Sequence, residues 1–288
     1  MTAIFRNYDR SALEAQFQLT GVDDLSALQA RRQRASDEAN DRFRPRSGLA
    51  YGDLPGETLD VYLPDGADAA PVQIYIHGGF WRSLDAALFS FVANGFVPAG
   101  IVTVIIDYPL IPETDLAGCV ASCFRALSWV RGNIARCGGD PENIHVSGSS
   151  AGGHLVAELA HPGKLAANGL PPDTVKSVCA ISGLFELEAV RLSSQNETLR
   201  FDEATVDQFS PQRHLVSGFP PTLVTVGGLE TAEFLVQSED YALGLGEHGN
   251  QADLQIVPNA NHLTIVLDHF AKPGTVLNGN VLGMMRTV

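Results

Sequence analysis

The chain has 288 residues, of which 45% are hydrophobic and 18% are charged. This balance is typical of a folded globular protein, and the length suits one large domain or two small ones. The formal net charge is −14, and an acidic protein repels both nucleic-acid phosphates and anionic membranes. We therefore expect neither a nucleic-acid partner nor a membrane partner, while self-association into a homo-oligomer stays open.

The compartment is predicted from membrane and cysteine patterns. No stretch approaches the roughly 18 apolar residues of a membrane span, and the first residues lack the basic-then-apolar layout of a secretory signal. Four cysteines are present and form no CxxC pair, which favours core thiols over a disulfide framework or a metal site. They are Cys119, Cys123, Cys137 and Cys179. We therefore expect a cytoplasmic protein.

The domain organisation is predicted from a change of pattern near residue 50. Residues 1–50 are polar and helical in pattern, with charges of mixed sign. This favours a solvated helical arm, and the alternative is a cap that leans over an active site. Residues 51–288 alternate between strand and helix patterns, interrupted by a mostly polar insertion at 186–215 that is a second candidate cap. Because no low-complexity linker divides the chain, a single domain overall is predicted.

Seven short runs rich in Val, Ile and Thr are predicted to be strands. Most are apolar throughout, as expected of strands buried on both faces of a sheet. They span residues 58–63, 72–77, 101–107, 143–148, 175–182, 221–227 and 252–258.

Helical patterns lie between these runs. Apolar residues recur at steps of three and four from Leu116 to Ile134, and a second helix passes through Leu155 and stops near Pro162. A third is predicted over 234–245. Strands that alternate with helices predict an α/β fold with a mostly parallel central sheet and helices on both faces.

The glycine-rich run VSGSSAGGHL lies where one predicted strand gives way to a helix. It contains no lysine, so it is not a phosphate-binding loop, and it lacks the spacing of a dinucleotide fingerprint. Gly148 and Gly152 flank a central serine with the Gly-x-Ser-x-Gly spacing of a nucleophile elbow. This spacing selects Ser150 as the candidate nucleophile, with Ser149 beside it; the alternative is an ordinary glycine-rich turn.

A second glycine pair follows an earlier strand, in the stretch IHGGFW. Gly78 and Gly79 match the esterase loop whose backbone N–H groups face the substrate carbonyl oxygen. The neighbouring Phe80 and Trp81 are candidate substrate contacts, and packing in the core is the alternative for both. A plain turn is the alternative for the loop itself.

A hydrolase of this plan needs a carboxylate and then a histidine, each after a late strand. Glu230 follows the strand that ends in VGG, and its competitors are Glu233 and Glu186. His262 is the only histidine on a loop just after a strand. The other seven histidines lie in the glycine loop, in a strand, on helices or before strands: His77, His145, His154, His161, His214, His248 and His269.

Six motifs occur in the order HGGFW, GSSAGGHL, ISGLFEL, SQNETLRFD, GGLETAEFLVQS and NHLTIV. Together they resemble the kynurenine formamidase (arylformamidase)-like α/β hydrolases over about residues 8 to 270. The resemblance implies the α/β-hydrolase fold, Ser150 as nucleophile, Glu230 as acid and His262 as base. It also implies that backbone N–H groups of Gly78, Gly79 and Ala151 form an oxyanion hole.

The resemblance further implies a serine hydrolase that removes small acyl groups from aryl formamides or esters. A general short-chain carboxylesterase and a non-catalytic ligand-binding member of the fold are the alternatives, and the complete triad disfavours the latter. The family elbow often has histidine where Ser149 stands, and phenylalanine where Leu263 stands. A separate class of formamidase depends on a metal held by a His/Asp cluster; because no such cluster is present here, neither a metal nor another cofactor is expected.

Overall fold

A computed structural model describes residues 2–18 and 24–287 of the protein. Within these residues, eight strands form one sheet in the spatial order β1-β2-β4-β3-β5-β6-β7-β8. β2 pairs antiparallel with β1 and β4, and all other pairs are parallel. The strands are β1 (Arg46–Ala50), β2 (Thr58–Tyr62), β3 (Ala70–Ile76), β4 (Val102–Ile106), β5 (Gly139–Ser149), β6 (Val175–Ile181), β7 (Thr222–Gly227) and β8 (Ala252–Val257).

The sheet confirms the predicted α/β fold and all seven predicted strands. The eighth strand, β1, was not predicted because four of its five residues are exposed and leave no apolar run. It pairs with β2 at one edge of the sheet, so the last residues of the segment 1–50 are part of the sheet.

Helices cover both faces of the sheet. Three of them, α4, α5 and α10, match the predicted helices. Pro162, predicted to stop α5, also begins α6, where a proline fits because the first helical N–H needs no partner. The helices are α1 (Arg10–Gln16), α2 (Leu25–Phe43), α3 (Ala93–Phe96), α4 (Leu116–Asn133), α5 (Ala151–Ala160), α6 (Pro162–Ala167), α7 (Glu188–Arg191), α8 (Asn196–Leu199), α9 (Glu203–Phe209), α10 (Ala232–Glu247) and α11 (Val276–Thr287).

Two apolar cores lie on opposite faces of the sheet. Side chains alternate along a strand, so Ile74 and Tyr75 of β3 belong to different cores. The first core contains Leu127 of α4 and Leu155 of α5, whereas the second contains Phe270 from a π-helical turn. Among helices of the described residues, none has the length and apolar character needed to cross a bilayer.

Helix α5 approaches β3 more closely than a side chain at position 152 would allow. A Cβ atom added to Gly152 would lie 2.0 Å from the carbonyl oxygen of Ile76 and 2.7 Å from that of His77. A Cβ atom on Gly148 would lie 2.3 Å from the carbonyl oxygen of Gly152. These glycines therefore let the N-terminus of α5 sit against the carboxyl end of the sheet.

We expect Gly152→Ala to lower the free energy of unfolding by about 1–3 kcal/mol, because its methyl group overlaps backbone atoms that cannot move independently. Gly132→Ala is the matched control, since Gly132 is an exposed position of α4 where a Cβ atom meets nothing within 4 Å. That change should leave stability unaltered or raise it by up to about 1 kcal/mol. Urea unfolding of both variants measures the difference, and equal stability of the two would contradict the packing described here.

Candidate active site

Ser150 lies at the turn between β5 and α5 in a backbone conformation that non-glycine residues rarely adopt. Its φ is +57° and its ψ is −120°. The conformation is held on both sides, because the Ser150 N–H donates to the Ile181 carbonyl oxygen at 2.8 Å and its carbonyl accepts from the His154 N–H at 3.1 Å. Strain of this kind persists only where the surroundings enforce it. The turn therefore has the geometry of a nucleophile elbow, with Ser150 at its tip.

The neighbouring Ser149 has a different environment. Its hydroxyl is hydrogen-bonded to the hydroxyl of the buried Tyr75, with an oxygen–oxygen distance of 2.9 Å. Both serines line the same cavity, but only Ser150 occupies the strained tip. The two serines thus differ in backbone conformation and in hydrogen bonding.

Glu230 is fully buried and accepts three hydrogen bonds. Its Oε1 accepts from the Ser182 hydroxyl at 2.5 Å and from the Gly227 N–H at 2.8 Å. Its Oε2 lies 2.6 Å from Nδ1 of His262. Ser182 itself has a φ of +49° at the end of β6, which places its hydroxyl beside the carboxylate. The carboxylate is therefore fixed, and the histidine is oriented through it.

The competing carboxylates lie elsewhere. Glu233 accepts from the Gln237 side chain at 2.9 Å and lies 3.4 Å from Arg6 Nε; burial raises its pKa. Glu186 forms a two-pronged ion pair with Arg213. Within the described residues, neither carboxylate is hydrogen-bonded to His262.

His262 follows β8 and lines the same cavity as Ser150. Its ring packs against Phe234, with the ring centroids 4.4 Å apart. Three other histidines of the described residues are buried: His77, His145 and His154. Burial lowers the pKa of His154 to about 3 and that of His145 to about 4. His145 and His154 are therefore neutral side chains of the core.

The glycine loop after β3 lies against the elbow. A Cβ atom on Gly78 would lie 2.8 Å from the Ser149 carbonyl oxygen, and Gly79 has a φ of +116°. Within the described residues, the backbone N–H groups of Gly78, Gly79 and Ala151 donate no hydrogen bond. Unoccupied donors beside a strained serine can stabilise an oxyanion.

The cavity has a volume of about 360 Å³ and is mostly apolar at its walls. Of the three predicted substrate contacts, Phe80 and Ser149 line it. Trp81 does not: it is 0% exposed and packs edge-on against His154 and Phe201. The substrate contact expected of Trp81 is therefore wrong, and the packing alternative holds.

The N-terminal segment and the insertion both reach this cavity. Helix α2 contributes four lining residues, Leu25, Leu28, Gln29 and Arg32, and Phe17 follows α1. From the insertion, Gln195 accepts a hydrogen bond from Arg82 at 2.6 Å. Among the described residues, the one position of 186–215 in the cavity lining is Gln195. A role of either segment as a cap over the site stays a prediction.

No group of three or more His, Cys, Asp or Glu side chains that could hold a metal ion occurs in residues 2–18 and 24–287.

A family model for the α/β-hydrolase fold matches residues 73–266. The chain belongs to the α/β-hydrolase family. Kynurenine formamidase from Salmo salar is 30% identical over 225 residues, which is 76% of this hydrolase and 74% of that protein. These matches confirm the kynurenine formamidase-like family that the motifs indicated, and relatives of this kind make the chain a hydrolase.

Two further proteins are similar to this hydrolase, one in sequence and one in structure. An isoprenylcysteine alpha-carbonyl methylesterase from Arabidopsis thaliana is 25% identical over 244 residues, 77% of this hydrolase and 57% of that protein. The crystal structure of a candidate thioesterase from Silicibacter sp. TM1040 superposes with a TM-score of 0.81 at 24% identity, covering 93% and 97% of the two chains. The latter likeness supports the fold alone.

Most residues of the cavity wall lie outside the motifs that the sequence offers, so they were not predicted as part of the site. Leu263 was noted only as a departure from the family, and Arg32 not at all. A weak signal existed for Arg32, because Leu28, Arg32, Ser36 and Ala39 are the buried residues of α2 and recur at helical spacing. Arginine in such a stripe is unusual, since charged residues rarely lie buried.

We expect Glu230→Gln to lower kcat by about 10⁴-fold, because an amide cannot orient and stabilise an imidazolium as a carboxylate does. Glu233→Gln is the matched control one helical turn away and should behave like the unaltered enzyme. Steady-state hydrolysis of an aryl acetate measures both. Wild-type activity in both variants would show that the Glu230 carboxylate takes no part in the reaction.

Proposed function

We propose that the hydrolase works through a covalent acyl-enzyme formed on Ser150. The observation that carries the proposal is the 2.6 Å bond between Glu230 and His262, in a cavity that the strained Ser150 shares with that histidine. His262 takes the proton of the Ser150 hydroxyl while the oxygen bonds to the acyl carbon of the substrate. Glu230 holds the imidazole by Nδ1, which leaves Nε2 for this transfer.

The remaining steps return the enzyme to its starting state. The tetrahedral oxyanion is held by the backbone N–H groups of Gly78, Gly79 and Ala151, and each such donor contributes about 10²- to 10³-fold in kcat. The bond from the acyl carbon to the leaving group then breaks, and His262 gives its proton to the leaving amine or alcohol. Water attacks the acyl-enzyme by the same route, and His262 again acts first as base and then as acid.

We propose small-acyl aryl formamides or aryl esters as substrates. The similarity to kynurenine formamidase supports a formamide, and the aromatic side chains of Phe17, Phe80 and Phe89 in the cavity wall suit a ring on the leaving group. A short-chain carboxylesterase is the second candidate, favoured by the similarity to a methylesterase. A cytoplasmic location and action without a cofactor remain predictions from the sequence, and self-association into a homo-oligomer stays open.

A substrate panel tests the proposed substrate class. Phenyl esters from formate to dodecanoate keep one leaving group and vary only the acyl chain, with N-formyl-L-kynurenine measured alongside. We expect kcat/KM to be highest for formyl or acetyl and to fall with chain length, together with turnover of the formamide. In a pocket built for long acyl chains each buried methylene adds about 0.8 kcal/mol, so activity would climb steeply instead.

Activity that rises through octanoate, with no turnover of the formamide, would contradict the formamidase assignment and leave a carboxylesterase. Because all esters share phenol as leaving group, a rise cannot be attributed to a better leaving group.

A further inference from the structure

Arg32 is a buried cation at the active-site cavity without an acidic partner. Its side chain belongs to α2, the residue is 9% exposed, and it lines the cavity with Ser150. It forms no ion pair or hydrogen bond with any described residue. Its guanidinium carbon lies 4.4 Å from the centre of the Phe89 ring. A buried charge is costly unless something compensates it, so the free donors of this side chain call for a partner.

Arg31 and Arg82 differ from Arg32 because each donates a hydrogen bond to a described side chain. Arg31 donates to Asp268 at 2.6 Å on the outside of the protein. Arg82, the second arginine of the cavity, donates to the Gln195 side chain at 2.6 Å. Arg32 is thus the cavity arginine whose donors are unused within the described residues.

The charge of the cavity is opposite to that of the protein. The chain carries a net charge of −14, yet the described residues that line the cavity include two arginines and no aspartate or glutamate. Low-dielectric walls strengthen the field of such charges. The cavity therefore favours an anion although the protein as a whole repels one.

A chain of contacts through Phe89 and Tyr75 connects Arg32 to Ser149, the residue before Ser150. Phe89, beneath its guanidinium, packs against Tyr75 with the ring centroids 5.6 Å apart. The Tyr75 hydroxyl in turn is hydrogen-bonded to Ser149, next to the candidate nucleophile. A substrate seated on Ser150 would therefore share the cavity with the guanidinium.

We propose that Arg32 binds a carboxylate on the leaving group of the substrate, so that the hydrolase selects acyl compounds whose aromatic leaving group is anionic. This inference rests on the proposed hydrolytic site. The planar guanidinium offers a pair of parallel N–H donors that match a carboxylate, which a lysine ammonium does not.

The test compares an anionic ester with its neutral isostere. The probes are the ortho, meta and para isomers of 3-(acetoxyphenyl)propanoate and of the corresponding carboxamides. We expect wild-type kcat/KM to favour the carboxylate of at least one isomer by about 10- to 100-fold, as a hydrogen-bonded charge pair would give. In Arg32→Met this ratio should fall to about one. Arg32→Lys should restore part of it, and Arg34→Met, an exposed position on the same helix, should keep the wild-type ratio.

A ratio near one in the wild type, or a ratio unchanged in Arg32→Met, would overturn the inference. If Arg32→Met lowers kcat/KM equally for the carboxylate and the carboxamide, the ratio is unchanged, and Arg32 has a structural role instead. Should Arg32→Met fail to fold, the wild type still decides the question: 3-phenylpropanoate should inhibit hydrolysis of phenyl acetate more strongly than 3-phenylpropanamide, and equal inhibition would overturn the inference.

The two proposals fail separately. Because the probes are esters, lack of turnover of a formamide leaves the inference about Arg32 intact. A protein that hydrolyses no probe, yet binds the carboxylates more tightly than the amides in calorimetry and loses this preference in Arg32→Met, would contradict the hydrolytic site and support the carboxylate site.

Discussion

The close approach of helix α5 to strand β3 is the constraint on which the active-site geometry depends. Gly148 and Gly152 make this close approach sterically possible because neither has a Cβ atom. The chain between them has to turn within a few residues. The turn puts Ser150 at a φ of +57° and leaves the Ala151 N–H at the start of a helix, where the macrodipole favours negative charge. The strain at the serine is thus offset by packing of the surrounding backbone.

The positions of Glu230 and His262, the proposed acid and base, depend on the carboxyl ends of the same strands. Ser150, Ser182, Glu230 and His262 all follow the carboxyl ends of parallel strands, which lie next to one another in the order β5-β6-β7-β8. Parallel pairing therefore gathers side chains that are 112 positions apart in the chain, from 150 to 262. Three hydrogen bonds offset the free-energy cost of burying the Glu230 carboxylate. They also fix the carboxylate in position beside Nδ1 of His262.

Local patterns predicted the sheet core and the elbow because each depends on neighbours in sequence: apolar runs for the strands, glycine spacing for Ser150. Strand β1 has no apolar run, so its pairing with β2 could not be predicted in this way. The cavity wall depends on tertiary packing, because α2 places Arg32 against Phe89, which is 57 positions away in the sequence. Local sequence patterns carry no information on such a contact. Trp81 illustrates the same limit: proximity to the oxyanion glycines did not say which way the indole points, and it points into the core.

The central claim is that Ser150 carries the acyl group, and locating a covalent adduct tests it most directly. The protein is treated with a fluorophosphonate, digested, and the modified residue is identified by tandem mass spectrometry. The account predicts a single adduct on Ser150, which disappears in Ser150→Ala and persists in Ser149→Ala. An adduct on Ser149, or labelling that survives Ser150→Ala, would contradict it.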